Sequence, residues 1–335
     1  MHTSDTLQVL MSTYNGAKYI SAQLDSILSQ PYEPIHILIR DDGSSDETIS
    51  IIEKYQTQYP HRIELIKGDN IGVIPSFWSL LQHADRRATY FSFCDQDDVW
   101  MTHKAATSVR LLQNLEKEKL ESKQVLAFEE NNNRFLPSFI PAMICTDTQL
   151  TDGELNPTVV WPGMPHLKPS FYNALIQNIA VGATVSFNAA ALALLMDTKQ
   201  KVNISAIQMH DWWVYLVISC FGNIHFEHHP TIYYRQHGGN AVGGEANVYQ
   251  KIKKKWNSFL KHRGDKKLLV QQAKEFYRVY GSKITDVQMK DQLERFITPR
   301  TTFVARIRYL RTCKLFRQSI TEQLLFRILI LVGYI

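Results

Sequence analysis

Short apolar runs alternate with segments of helical spacing through the first hundred residues. The runs that predict strands cover residues 8–11, 35–39, 63–66 and 90–94. Between the first two runs, Ile20, Leu24, Ile27 and Leu28 recur at the spacing of an amphipathic helix. Strands that alternate with helices at this pitch predict an α/β fold with a largely parallel sheet. Ligands of such sheets bind beyond the carboxyl ends of the strands.

The rest of the chain continues this pattern less regularly. It predicts helices over residues 102–120, 169–177 and 210–221, strands over 142–145, 182–187 and 231–234, and a polar insertion over 121–137. From residue 249 the pattern changes to basic helices, and the chain ends in an apolar stretch over 324–335. The sequence therefore predicts a sheet-based domain, residues 1–245, followed by a basic helical region, residues 246–335.

Three carboxylates follow the predicted strand 90–94. They belong to Asp95, Asp97 and Asp98, with Gln96 between the first two. Because like charges a few Å apart repel, a compensating cation is expected here. Carboxylate oxygens are ligands that hard divalent cations such as Mg²⁺ and Mn²⁺ prefer, and such a metal commonly serves a phosphate. A D-x-D motif can also supply an aspartyl phosphatase nucleophile, but that motif usually follows the first strand of its domain.

A second acidic turn, residues 41–46, follows the predicted strand 35–39. Asp46 is expected to cap the next helix. Asp42 stands at the strand end, where a buried acceptor can select a base or ribose by its hydrogen-bond donors. Because Ser12, Asp42 and Asp95 all follow predicted strands, we expect them to converge on one cleft despite their separation in sequence.

Two later motifs add chemistry to this cleft. Residues 210–213, His-Asp-Trp-Trp, open a predicted helix. A carboxylate such as Asp211 beside an aromatic wall can have its pKa raised toward the range of a general base, and Trp faces pack well on sugar rings. Residues 234–240 combine Arg235, which suits a diphosphate, with His237 and two glycines that allow close backbone approach.

Together these motifs resemble the glycosyltransferase family 2 pattern with its GT-A fold, and most of all its bacterial rhamnosyltransferase-like branch of surface-polysaccharide biosynthesis. The resemblance covers about residues 7–240. It rests on seven motifs in the family's order, at residues 11–15, 40–46, 68–72, 95–100, 182–184, 210–213 and 234–240. Any one of these motifs is weak, whereas the seven together are specific.

The resemblance implies a role for each matching residue. The nucleotide would be contacted by Ser12, Tyr14, Asn15, Asp42, Asp95 and Arg235. A Mn²⁺ or Mg²⁺ ion would be held by Asp97 and His237, with Asp95 and Asp98 beside them. Asp211 would be the catalytic base, and the sugar and acceptor would lie against Gly182, Ala183, Thr184, His210, Trp212 and Trp213.

The implied activity is inverting transfer of a sugar, with L-rhamnose as a candidate, from a UDP- or dTDP-linked donor to a hydroxyl of a glycan acceptor. The acceptor would be carried on a lipid, in assembly of O-antigen, capsule or another surface polysaccharide. A UDP-glucose or UDP-galactose hexosyltransferase of the same fold stays open, as does a metal-dependent phosphatase or nucleotidyltransferase. A dinucleotide-dependent dehydrogenase needs a Gly-x-Gly-x-x-Gly turn after its first strand, which residues 12–17 lack.

Charge is sorted along the chain. Residues 1–250 carry 17 Lys and Arg against 26 Asp and Glu, a net of −9, whereas residues 251–335 carry 20 against 6, a net of +14. The basic runs 251–256 and 306–309 could bind nucleic acid, or an anionic leaflet at roughly 1 kcal/mol per basic residue. Because a lipid-linked acceptor places the work at a membrane, we expect membrane attachment and no nucleic acid partner. A terminal helix that completes the core is the alternative.

The remaining sequence signals concern the compartment. Cys94, Cys145, Cys220 and Cys313 show no paired spacing, which favours a reducing environment. No charged segment followed by an apolar stretch begins the chain, and no uncharged run reaches the roughly 18–20 residues that span a bilayer. We therefore expect a cytoplasmic protein that is peripheral on the inner face of the cell membrane.

Overall fold

A computed structural model of the protein describes residues 5–117, 140–236 and 268–335. The strands in these ranges are, in chain order, β1 (Leu7–Thr13), β2 (Ile35–Asp41), β3 (Ile63–Lys67), β4 (Tyr90–Cys94), β5 (Val99–Trp100), β6 (Ala142–Thr146), β7 (Thr148–Thr151), β8 (Pro157–Trp161), β9 (Ser186–Asn188), β10 (Asn223–Glu227) and β11 (Ile232–Arg235). Seven of them form the central sheet, in the order β10-β6-β9-β4-β1-β2-β3.

The predicted α/β fold with a largely parallel sheet is confirmed. β1 is parallel to both β2 and β4, β2 to β3, and β10 to β6, while β9 runs antiparallel between β4 and β6. Met11 pairs with Cys94 and Thr13 with Asp41. This register brings the residues that follow β1, β2 and β4 to one edge of the sheet.

The strands alternate between two hydrophobic cores. Val9 and Ile37 point to one side of the sheet, where the helices at residues 20–28, 48–58 and 104–117 pack, whereas Leu10 and Leu38 point to the other side. Successive side chains of a strand face opposite ways, so a sheet covered on both faces is apolar at nearly every position. That is why the strand runs in the sequence are almost continuous.

The helices are named in chain order. They are α1 (Ile20–Leu28), α2 (Thr48–Gln58), α3 (Val73–His83), α4 (Lys104–Lys117), α5 (Phe171–Ala174), α6 (Ala189–Asp197), α7 (His210–Phe221), α8 (Leu268–Tyr280), α9 (Val287–Ile297), α10 (Phe303–Thr312) and α11 (Ile320–Leu331). Asp46 lies one position before the cap of α2, where its Oδ1 accepts from the N–H of Thr48 at 3.0 Å and its Oδ2 from that of Ala17 at 3.1 Å.

A smaller sheet has the order β5-β11-β7-β8. β11 pairs antiparallel with β5, directly after the acidic motif, and parallel with β7. Two predicted elements differ nearby. The strand predicted over 182–187 is a 3₁₀ turn, Gly182–Thr184, followed by β9, and the helix predicted over 169–177 is reduced to the four residues of α5. The turn forms because the N–H of Val185 bonds to the Gly182 carbonyl at 2.9 Å.

The C-terminal helices pack on the body of the protein. Phe276, Tyr280, Leu293 and Ile330 share one hydrophobic core with Trp213 of α7. The predicted domain boundary at 245/246 and the predicted insertion 121–137 lie outside the described residues. None of the helices in the described ranges has the length and apolarity needed to cross a bilayer.

Candidate active site

A cavity of about 680 Å³ opens at the carboxyl edge of the parallel strands. Its first wall is made by residues at the carboxyl ends of β1, β2 and β4 or directly after them, namely Ser12, Thr13, Tyr14, Asp42, Asp95, Gln96 and Asp97. Its opposite wall is made by residues 178–182 and by residues 209–212 at the start of α7. The predicted convergence of Ser12, Asp42 and Asp95 is confirmed, and Asp211 lines the same cavity.

Asp42 lines the cavity with a carboxylate that is already engaged. It forms a close ion pair with Arg40 and accepts hydrogen bonds from the N–H groups of Ile71 at 3.0 Å and Gly72 at 2.9 Å. These contacts fasten the end of β2 to the start of α3. The wall here is thus built before any ligand arrives, and contact between Asp42 and a base or ribose stays a prediction.

The loop after β1 is held by side chains of its neighbours. Ser12 Oγ and Ser76 Oγ lie 2.6 Å apart. The backbone of Tyr14 exchanges two hydrogen bonds with the Gln96 side chain, each of 2.9 Å, and a Cβ on Gly16 would collide with that side chain. Tyr14 is 48% exposed at the cavity, so its ring is available to stack on a ligand.

Asn15 was expected at the nucleotide but does not line the cavity. Its backbone has a φ of 47°, and its Oδ1 accepts the N–H of Ser45 at 2.9 Å. Asn is one of the few residues that adopt this conformation readily, because its short polar side chain bonds locally. Asn15 therefore joins the loop after β1 to the loop after β2.

The three carboxylates after β4 take different positions. Asp95 and Asp97 line the cavity, whereas Asp98 is 1% exposed and lies outside the lining. Burial, together with repulsion from Asp97 and Asp211, raises the pKa of Asp95 to about 7. A cation bound between Asp95 and Asp97 would relieve this repulsion.

Asp98 points into the protein, contrary to the predicted metal contact. Its Oδ1 accepts the N–H of Arg235 at 3.1 Å, which ties the acidic motif to β11. Burial and the charges of Asp95 and Asp97 raise its pKa well above the usual range. The nearby Lys104 is fully buried, with its ammonium 4.8 Å from the centre of the Trp100 ring, and burial lowers its pKa to about 8.

Arg235 also differs from its predicted role at the diphosphate. It does not line the cavity. Its Nε donates to the Asp97 carbonyl at 2.9 Å and its Nη1 to the Gly153 carbonyl at 2.5 Å, while its guanidinium lies 4.8 Å from the centre of the Tyr19 ring. Arg235 thus holds the backbone of the acidic motif in place from the side away from the cavity.

Asp211 is buried at the first turn of α7, with 5% of its surface exposed. Its Oδ1 accepts from Asn178 Nδ2 at 3.1 Å and from the N–H of Trp212 at 2.6 Å, and the N–H of Gly182 also bonds to the carboxylate. Burial raises the pKa of Asp211 to about 6, and these donors oppose the rise. A carboxylate with this pKa is ionised at neutral pH and can take up a proton.

His210 stands beside Asp211 as a neutral ring. It stacks on Phe77 with ring centres 3.8 Å apart and meets the edge of Phe93 at 5.0 Å. Burial lowers its pKa to about 3. Neither ring nitrogen has a hydrogen-bond partner in the described part of the chain, although His210 lines the cavity. A buried polar group of this kind is normally satisfied, so a ligand in the cavity is expected to complete it.

The two tryptophans after Asp211 have separate positions. Trp212 lines the cavity, and its Nε1 donates to the Ala174 carbonyl at 2.7 Å. Trp213 is fully buried against Phe276 and Tyr280, with ring centres 6.1 and 6.2 Å apart. The predicted sugar or acceptor contact of Trp213 is therefore wrong, because its side chain belongs to the core.

The predicted contacts at 182–184 reduce to Gly182. A Cβ on Gly182 would lie 3.1 Å from His210 Nε2 and 3.4 Å from Asp211 Oδ2, so a larger residue would crowd both functional groups. Ala183 and Thr184 are buried outside the cavity lining. Thr184 Oγ1 donates to the Val181 carbonyl at 2.8 Å, which shapes the turn that presents Gly182.

Asp95 and Asp97 are the residues that fit a divalent cation. Across residues 5–117, 140–236 and 268–335, no group of three or more His, Cys, Asp or Glu side chains is arranged to hold a metal. Mg²⁺ commonly uses one or two carboxylates together with substrate phosphates and water. Two crowded carboxylates in a cavity match that donor set, so the site fits a metal that binds together with a phosphate. His237, the predicted third ligand, lies outside the described residues.

Part of the second wall carries no recognisable sequence motif. Asn178 and its neighbours 179–181 line the cavity, as do Leu150 and Trp161 from the smaller sheet. None of them stands in a motif or at the end of a predicted strand. Their position at the cavity depends on how β7 pairs with β8 and on where α5 ends. The pattern of residues along the chain therefore could not predict it.

A family model and two kinds of similar protein match the chain. Residues 8–168 match the model of "Glycosyl transferase family 2". The chain is 27% identical over 248 residues to the dTDP-rhamnosyl transferase RfbG of Shigella flexneri, which covers 73% of this chain and 77% of that protein.

Among solved structures, the chain is similar to S. aureus TarS residues 1–349. The complex with UDP has a TM-score of 0.53 at 16% identity, covering 96% of this chain and 78% of that chain. The complex with UDP-GlcNAc has a TM-score of 0.53 at 13% identity, covering 98% and 91%. At this level of identity the likeness establishes the fold.

Proposed function

Because the chain carries a glycosyl transferase family 2 domain with the GT-A fold, we propose that it moves a sugar from a nucleoside-diphosphate donor to an acceptor hydroxyl with inversion at the anomeric carbon. The supporting observation is one cavity with two unlike acidic walls. Asp95 and Asp97 crowd one side, and Asp211 stands alone on the other. All three carboxylates line this one cavity of about 680 Å³, so a donor and an acceptor bound there can meet between the two walls.

Asp211 takes the part of general base. It removes the proton from the acceptor hydroxyl as the oxygen forms its bond to the anomeric carbon. The bond from that carbon to the phosphate oxygen breaks, and the nucleoside diphosphate leaves with the electron pair. The pKa of about 6 keeps Asp211 ionised and still basic enough to accept the proton. Binding both substrates in one cavity supplies much of the remaining acceleration.

His210, Trp212 and Gly182 surround the sugar in this proposal. The neutral ring of His210 offers one donor and one acceptor nitrogen to sugar hydroxyls, since neither nitrogen is used by the described residues. Trp212 offers an apolar face for the ring. Gly182 leaves room beside both His210 and Asp211. Neutral groups are suited to sugar hydroxyls because they bind without a charge to desolvate.

Asp95 and Asp97 would hold Mn²⁺ or Mg²⁺ with the diphosphate, and His237 would be a further ligand. A bound metal supplies positive charge that stabilises the departing diphosphate. The two carboxylates fix that charge at the end of β4, while Arg235 and Asp98 hold the motif in place from below. The nucleotide would lie along Ser12, Tyr14 and Asp42.

We propose dTDP-L-rhamnose as the first donor to test, because the rhamnosyl transferase relative matches most of the chain. The acceptor would be a glycan carried on a lipid, in surface-polysaccharide assembly. A UDP-linked hexose is the second donor class. UDP and dTDP differ by the methyl group of thymine and by the ribose 2′-hydroxyl of UDP, so the nucleotide wall at Ser12, Tyr14 and Asp42 is where the protein would tell the two donors apart.

The test is a screen of nucleotide sugars at fixed Mn²⁺ concentration, with release of nucleoside diphosphate as the readout. dTDP-rhamnose, UDP-glucose, UDP-galactose and UDP-GlcNAc form the panel, each with and without chelator. We expect diphosphate release from one donor and its loss on chelation. Release of inorganic phosphate or pyrophosphate would instead support a phosphatase or nucleotidyltransferase and would overturn the proposal.

A further inference from the structure

The last two helices present an apolar face that no other described part of the chain covers. The exposed apolar residues recur every fourth position along α11 and at Val332 directly after it, and two more lie at the start of α10. The exposed fractions are 88% for Ile320, 60% for Leu324, 44% for Ile328, 62% for Val332, 60% for Phe303 and 65% for Val304. Residues four apart on a helix lie on one side, so the α11 residues form one stripe.

The two helices form an antiparallel pair. Arg306 Nη1 donates to the Leu331 carbonyl at 3.1 Å, and Arg327 Nη2 donates to the Leu310 carbonyl at 3.1 Å. A groove of about 480 Å³ runs between them, lined by Ile307, Leu310, Arg311, Leu324, Arg327, Ile328 and Leu331. We call this groove and the exposed stripe the α10–α11 face.

The fold does not need this face. The inner side of the same helices already packs into the core through Tyr309, Phe326 and Ile330, which are 6%, 1% and 0% exposed. A helix at the surface of a soluble domain normally carries polar residues on its outer side. An exposed patch of large apolar residues therefore indicates a surface that binds another protein or a membrane.

The net charge of the C-terminal residues indicates which kind of partner binds the α10–α11 face. Residues 301–335 carry six Lys and Arg against the single acid Glu322, a net charge of +5. Arg308 and Arg311 are exposed, and neither they nor Arg327 form an ion pair with any described residue. Arginine stems lie along apolar surface while their charged ends reach outward. Apolar residues flanked by arginines that form no ion pair with a described residue are suited to a partner with an apolar interior and anionic groups at its surface.

We propose that the α10–α11 face docks on an anionic lipid leaflet. The apolar stripe inserts to the depth of the headgroup and acyl boundary, and the arginines bind lipid phosphates. Neither helix is long enough to cross the bilayer, so the attachment is interfacial. None of the residues of this face lines the catalytic cavity. The inference therefore goes beyond the proposed function and stands or falls separately from it.

The docked face is joined to the acceptor side of the cavity. The N–H of Gln318, between α10 and α11, donates to Gln177 Oε1 at 2.8 Å, and Gln177 Nε2 donates to Glu322 at 3.0 Å. Gln177 precedes Asn178, whose side chain bonds to Asp211. A leaflet at this face is thus connected through one short segment to the wall where the acceptor hydroxyl is activated.

The experiment is cosedimentation of the full chain with vesicles. One set contains equal parts phosphatidylglycerol and phosphatidylcholine, and the other contains phosphatidylcholine alone. We expect binding to the anionic vesicles at low salt, weaker binding at high salt and little binding to the neutral vesicles. Equal binding to both sets, or no binding to either, would overturn the proposal without any variant.

Variants locate the surface. Leu324→Glu with Ile328→Glu should lower anionic-vesicle affinity by about tenfold or more, because two apolar contacts are lost and two like charges gained. Arg308→Gln and Arg311→Gln should each cost about fivefold. Val287→Glu is the matched control, since Val287 is 79% exposed on α9 and lies outside the groove lining. Circular dichroism and donor hydrolysis without vesicles should match the wild type in all four proteins.

Two results would reassign the face. If Leu324→Glu with Ile328→Glu turns a solution dimer into a monomer and vesicles bind neither form, the face joins two copies of the chain. If a nucleic acid duplex binds the wild type, the two arginine variants lose it and anionic vesicles bind none of these proteins, the partner is nucleic acid. Either result rejects the lipid proposal.

Discussion

The two acidic walls of the cavity differ in what surrounds each carboxylate. Asp95 and Asp97 lie two positions apart in one turn, and burial, together with the charges of Asp97 and Asp211, raises the pKa of Asp95 to about 7. Asp211 has no acidic neighbour in sequence and receives N–H donors from Asn178, Trp212 and Gly182. Burial is the first cause of the raised pKa of both Asp95 and Asp211, so the neighbouring charges and hydrogen-bond donors are what distinguish the two walls.

The difference shows what each wall can bind. Crowded carboxylates repel, and a divalent cation neutralises both at once. A single carboxylate held by hydrogen-bond donors keeps its charge at neutral pH and can accept a proton from a bound hydroxyl group. One wall is therefore suited to a metal and diphosphate, and the other to an acceptor hydroxyl.

The largest effect is expected from Asp211→Asn, which keeps the shape and removes the base. The turnover rate should fall on the order of 10²–10⁴, the usual contribution of a general base. Nucleotide affinity measured by calorimetry should stay at the wild-type value, since the donor wall is untouched. Asp147→Asn is the control, because Asp147 is also buried but lies outside the cavity lining. Wild-type turnover in Asp211→Asn would remove Asp211 from the mechanism.

A smaller effect is expected on nucleotide affinity, and it should differ between variants of the neighbouring residues Asp97 and Asp98. In Asp97→Asn, the affinity for nucleoside diphosphate in the presence of Mn²⁺ should fall on the order of tenfold or more, as expected for loss of one charged contact. Asp98→Asn should keep that affinity, because its side chain faces Arg235 rather than the cavity. Calorimetry with and without Mn²⁺ measures both. Equal losses in the two variants would show that the two carboxylates act together.

The smallest effect concerns the pH dependence of kcat/KM. A base must be ionised, so the rate should rise with pH through about 6 and level off above it. Asn178→Ala removes a donor that holds the pKa of Asp211 down, and the rising limb should move upward by about one pH unit. Asn156→Ala, in the exposed turn between β7 and β8, should leave the profile unchanged. A downward shift in Asn178→Ala would contradict the assignment of this limb to Asp211.

Much of the fold could be predicted from the sequence where burial is uniform. β1 to β4 are covered on both faces, so their apolar runs are continuous and end sharply in polar turns. The same reasoning placed Ser12, Asp42 and Asp95 at one edge. The strands β7 and β8 were missed, since β7 has a single apolar residue and β8 is short, begins with Pro157 and is mostly exposed.

Side-chain direction was less predictable than position. Trp212 and Trp213 are adjacent and chemically identical, yet one lines the cavity and the other fills the core. Adjacent residues on a helix point about 100° apart, and which of them meets the cavity depends on how α7 is turned against α8. Arg235 and Asp98 were misplaced for the same reason, because β11 pairs with β5 and turns both inward.

The sequence by itself determined the alternation of strands and helices, the acidic motifs, the family resemblance and the charge division, because each depends on residues close together in the chain. Only the tertiary structure decided that Asp95 and Asp97 face Asp211 across one cavity, that Asp98 and Arg235 support the motif from behind, and that Asn178 completes the second wall. These facts depend on contacts between segments far apart in sequence. Such contacts are fixed by tertiary packing, and the pattern of residues within a short segment does not predict them.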